Sequence, residues 1–146
     1  MKKQLSIALL LCLICIIIAG CGENPEEKET PFDLDLTQMS GTMAHAAVFD
    51  MMDAPENYLG KTVKAGGVYT GYYVDTTNRY YHYVVIESAV ACCPQGMEFA
   101  WSDEHGAPRD YPEENAKIEV TGVFSDYVES GKTRHYLAVE SITEAN

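Results

Sequence analysis

Two stretches of this chain carry the same phrase. VKAGGVY (63–69) and IEVTGVF (118–124) both read apolar, charged, apolar, any residue, glycine, valine, aromatic. Alternating apolar and charged side chains point to opposite faces, which is the mark of a half-buried strand. A glycine in mid-strand has no side chain to pack. Its use is to let the strand bend or to let another backbone come close. Strands that coil tightly around a small barrel need that freedom. The segments between the two phrases differ, so they are not an internal repeat. They mark two strands under one geometric demand.

The other strands follow from composition and alternation. KTVKAGGVYTGYYV (61–74) is a long first strand, and Gly66-Gly67 predicts a bulge or sharp bend in it. RYYHYVVIES (79–88) is dense in aromatic and β-branched residues. GMEFAW (96–101) is a short third run. AKIEVTGVFSDYV (116–128) sends Ile118 and Val120 to one face and Lys117, Glu119 and Thr121 to the other. TRHYLAVESI (133–142) is the last strand, and VESGKT (128–133) is the hairpin turn before it. Ahead of the strands, 43–48 is read as a short strand and 50–58 as a helical turn. One amphipathic helix over 43–52 is the alternative, and Pro55 ends either version. The expected class is all-β: a small five-stranded OB-like Greek-key barrel with a short N-terminal strand or helical turn.

The N-terminus reads MKKQLSIALLLCLICIIIAGC. A basic start, an apolar run and small residues make an export signal. The run is shorter than the ~20 apolar residues of a membrane-spanning helix. The stretch IAGC (18–21) resembles the lipobox of bacterial lipoproteins. That resemblance implies cleavage before Cys21 and lipidation of its thiol. The expected organisation is a signal peptide over 1–20, a lipid-anchored acidic linker over 21–41 and the barrel over 42–146. The protein is expected outside the cytoplasm, anchored to the membrane through Cys21. In a cell with two membranes it would face the periplasm or sit at the outer membrane. Loss of Lys2 and Lys3 with the signal leaves eight basic residues against 22 acidic ones, a net charge of −14. Such a chain repels polyphosphates, so nucleic acid is not an expected partner. An envelope protein or transporter fits better.

The phrase YLGKTVKAGGVY (58–69) with ACCPQGMEF (91–99) resembles a group of small exported bacterial proteins of unknown function. It is similar, more distantly, to the OB-like domain of permease-accessory proteins linked to zinc supply. The resemblance implies the barrel fold and directs attention to Cys92 and Cys93, without supplying an activity.

Once Cys12 and Cys15 leave with the signal and Cys21 is lipidated, Cys92 and Cys93 are the remaining thiols. Adjacent strand residues point to opposite faces, so the pair acts together only if CCPQG turns. Three readings stand. The pair holds a thiophilic metal, Zn2+ or Cu(I), with His82 or Met97 completing the set. It forms a strained, reducible vicinal disulfide, since Cα atoms ~3.8 Å apart are closer than disulfides prefer. Or the sulfurs are packing groups with no further role. The second feature is tyrosine. Tyr72, Tyr73, Tyr80, Tyr81 and Tyr83 surround one hairpin, and a tyrosine-lined barrel face suits a glycan or peptide. His82 within RYYHY reads as a packed, hydrogen-bonded histidine more readily than as a ligand. The acidic loop 102–115, with His105, lacks the order of a calcium loop. With no Gly-x-Ser-x-Gly, phosphate loop or HExxH present, the expectation is a non-catalytic binding or accessory module.

Overall fold

The two glycine-centred phrases lie in the two strands that close the barrel. The computed structural model describes residues 31–87, 94–101 and 110–145. Six strands form within them: β1 (Leu34–Asp35), β2 (Thr62–Val74), β3 (Arg79–Ile86), β4 (Gln95–Ala100), β5 (Lys117–Glu129) and β6 (Lys132–Glu144). β2 runs antiparallel to both β3 and β5, β3 to β4, and β5 to β6, while β4 and β6 are parallel. Strands β2 to β6 therefore close in the order β2-β3-β4-β6-β5-β2, a small barrel consistent with an OB-like fold. The turn expected in VESGKT joins β5 to β6. Ser130 (φ 51°) and Gly131 (φ 77°) both take positive φ, as a two-residue hairpin turn requires.

β2 serves two partners in succession. Thr62 to Val68 pair with β5, and Val68 to Val74 pair with β3. The strand has to bend where it changes partner, and Gly66-Gly67 sit there. No bulge is needed in β2, whose register is continuous on both sides. The irregularity falls instead at the sister glycine: the β5–β6 register shifts between Thr121 and Gly122. Both glycines allow a close backbone approach. A Cβ at Gly67 would lie 2.3 Å from the Val85 carbonyl oxygen, and one at Gly122 would lie 2.4 Å from that of Ala138.

The expected strand at 43–48 is corrected. Gly41–Asp53 is an α-helix, α1, with the Ser40 hydroxyl accepting from the Met43 N–H at its start. Its buried residues, Ala44, Val48 and Met51, recur at helical spacing and contribute to the core. Pro55 falls just beyond, in a short 3-10 turn. Packing also begins earlier than Thr42. β1 pairs with β2, the Asp33 carboxylate accepts from the Thr62 N–H at 2.7 Å, and Leu36 is buried in the core. The barrel interior is filled from all five strands by side chains such as Val63, Val84, Phe99, Phe124 and Leu137. No helix among the described residues is long and apolar enough to cross a membrane.

Candidate functional site

Strand register builds one face of the barrel. Val84, Met97 and Phe99 point inward, so their neighbours Tyr83 and Glu98 point outward. Tyr83 stands opposite Glu98, and Tyr72 opposite Tyr81. The β5–β6 hairpin brings further side chains against this row. The Tyr127 hydroxyl donates to Glu98 Oε1 at 2.7 Å, and the Tyr81 hydroxyl donates to Glu129 Oε1 at 2.5 Å. Arg134 Nη2 lies 3.5 Å from Glu98 Oε2 and 3.5 Å from the Tyr83 hydroxyl.

Glu98 is 5% exposed, and a carboxylate that deep requires partners. It has a phenol and two guanidiniums. Arg79 lies between the Tyr81 and Tyr127 rings, 5.1 and 4.6 Å from their centroids, and reaches Glu98 at 3.8 Å and Glu129 at 3.6 Å. The two Arg79 pairs are longer than direct hydrogen bonds. A guanidinium carries five N–H donors, so both arginines keep capacity for a further partner beside these contacts. Burial, and then the bond to Glu98, push the Tyr127 phenol up to about 12. Burial, and then the hydrogen bond shared with Tyr72, raise Tyr83 as well. Both phenols stay protonated at neutral pH.

A cavity of about 240 Å³ opens between the ends of the β2–β3 and β5–β6 hairpins, lined by Tyr72, Val74, Thr77, Tyr81, Glu129 and Arg134. Tyr72 stands at its rim, 49% exposed, stacked parallel to Tyr83 with centroids 5.6 Å apart.

The five tyrosines divide by register. Tyr72, Tyr81 and Tyr83 share the outer face. Tyr73 and Tyr80, themselves opposite each other, fall on the other side with His82. His82 is buried. Its Nδ1 lies 2.8 Å from the Tyr69 hydroxyl, and its ring stacks on Tyr111 at 3.6 Å. Burial, and then the charge of Arg79, bring its pKa down to about 4, so the ring is neutral.

Met97 is fully buried inside the barrel. Cys21, Cys92, Cys93 and His105 lie outside the described residues. Among the described residues, no group of three or more His, Cys, Asp or Glu is placed to hold a metal ion. Sequence reasoning overlooked Arg79, Tyr127, Glu129 and Arg134. One signal was available: the chain has only three arginines, Arg79, Arg109 and Arg134, and two of them meet on this face. In comparison with known proteins, no family model and no curated protein matches this chain.

Proposed function

We propose that this chain is an extracytoplasmic protein, lipid-anchored through Cys21, whose barrel is a non-catalytic binding module. The ligand, a glycan or a peptide, seats on the outer tyrosine–arginine face. The observation that carries this reading is the exposed Tyr72 ring beside a cavity that offers both a guanidinium and a carboxylate. OB-type barrels use the corresponding face, between hairpin ends, for extended ligands. Glu98 and Glu129 are each engaged by a tyrosine hydroxyl and an arginine, which suits recognition better than proton transfer. A thiophilic site at Cys92 and Cys93 completed by Met97 would require that side chain to leave the barrel interior.

The test is NMR of the full chain carrying 13C-labelled tyrosine, titrated with glycan and peptide libraries. Tyr72 is expected to shift with the bound ligand. Binding is expected to fall with Tyr72→Ala and to survive the paired Cys92→Ser and Cys93→Ser change. Binding that disappears with the cysteines and persists in Tyr72→Ala would overturn the proposal. Mass spectrometry of the membrane-extracted protein tests the anchor: it should find an acylated Cys21 at the mature N-terminus.

A further inference from the structure

The charge balance of this face narrows the ligand. We infer that the group seated between the hairpin ends is one ring of an uncharged oligosaccharide, stacked on Tyr72 and hydrogen-bonded to Arg134 and Glu129. This inference rests on the reading above that the tyrosine–arginine face is the binding site.

The size of the cavity comes first. At about 240 Å³ it lies below the ~300 Å³ at which sites for whole drug-sized molecules begin. It takes one unit of a longer ligand, with that unit's face against the exposed Tyr72 at the rim. That ring is held parallel to Tyr83, so little freedom is lost when a ligand stacks on it. The apolar face of a sugar ring presents C–H groups to an aromatic face, which the negative π face attracts.

Charge decides the class. Arg79 and Arg134 are matched on this face by Glu98 and Glu129, so the site is locally neutral within a strongly acidic chain. An anionic polymer meets a repulsive field and guanidiniums already paired. A cationic one meets carboxylates already paired. A hydroxyl is donor and acceptor at once, so a ring carrying several can accept from Arg134 and donate to Glu129 without separating either ion pair.

A peptide added as a strand is the rival occupant that the titration separates from a sugar. β3 is paired on both sides from His82 to Ile86, while Arg79 to Tyr81 pair with β2 and not with β4. On β2 the other edge is closed from Tyr69 to Gly71: the Tyr69 N–H donates to the Ala116 carbonyl, the Asn115 N–H donates to the Tyr69 carbonyl, and the Gly71 N–H donates to the Glu114 carboxylate.

The experiment is isothermal titration of the full chain, in detergent, with three neutral hexasaccharides (cellohexaose, maltohexaose and N-acetylchitohexaose), with hexagalacturonate, and with a Gly/Ser/Asn hexapeptide. At least one neutral sugar is expected to bind at least tenfold more tightly than hexagalacturonate and the peptide at 150 mM salt. Tyr72→Ala is expected to weaken it tenfold or more, and Glu129→Gln by about threefold to tenfold, with the fold retained by circular dichroism. Preferred binding of hexagalacturonate or the peptide that is still lost in Tyr72→Ala would overturn the sugar inference and leave the face reading intact. Binding of any probe that ignores both changes would overturn the face as well. So would no binding by any of the five probes.

Discussion

Gly67→Ala tests the geometric demand that closes the barrel. A methyl at position 67 would lie 2.3 Å from the Val85 carbonyl oxygen, 2.8 Å from its carbon and 3.1 Å from Val84 Cγ2. Ordinary C···O contacts between strands are ~3.3–3.6 Å, so β3 would have to retreat by about 1 Å. The obstructing atoms are backbone in a paired strand and have no rotamer to swing away. Overpacking of this kind costs about 1–3 kcal/mol, and a weakened ladder bond about 1 kcal/mol more. Lower entropy of the unfolded chain returns ~0.4–1 kcal/mol. The expected net loss is about 2–3 kcal/mol, which is roughly 10–15 °C in Tm for a domain of this size. The neighbouring Gly66→Ala is the control. Its nearest atom is the Thr37 methyl at 3.2 Å, a side-chain end outside the barrel wall, so it should remain within about 0.5 kcal/mol of the parent. Gly122→Ala, facing the Ala138 carbonyl oxygen at 2.4 Å, should match Gly67→Ala. Urea and thermal unfolding followed by circular dichroism reads all three. Equal stability of Gly66→Ala and Gly67→Ala, in either direction, would refute the argument.

Leu36→Ala should cost about 2–4 kcal/mol in the same urea assay, because Leu36 is core although it lies in a stretch that reads as linker. Tyr127→Phe removes the 2.7 Å bond to buried Glu98 and should cost about 1–3 kcal/mol. His82 supplies the pH dependence. Its folded pKa of about 4 lies below the ordinary ~6.5, so the unfolded chain binds a proton that the folded chain refuses. That contribution is complete above about pH 6.5 and is lost as pH falls toward 4. The urea midpoint should fall across this window, and His82→Gln should flatten the decline relative to the parent. An identical slope in both proteins would contradict it.

The chain's local chemistry determined the strands. Alternation at 118–121, the β-branched and aromatic density at 79–86, the glycine phrases and the turn at 130–131 act on neighbouring residues, so they are legible one segment at a time. The closed barrel followed because mid-strand glycines and five strands admit few arrangements. His82 is packed, but apart from Tyr80 its aromatic neighbours Tyr69, Phe99 and Tyr111 come from other parts of the chain. Residues 43–48 were different. Met-Ala-His-Ala-Ala-Val suits a strand or a helix, and the choice belonged to the surface that buries Ala44, Val48 and Met51 together. The make-up of the tyrosine–arginine face was decided by the tertiary structure. Glu98 meets Tyr127 and Arg134 across 29 and 36 residues, with no spacing to announce it. Register sent Tyr72, Tyr81 and Tyr83 one way and Tyr73 and Tyr80 the other. Only the hairpin laid against β3 and β4 could bury that carboxylate, set two of the chain's arginines around it and leave Tyr72 open beside them.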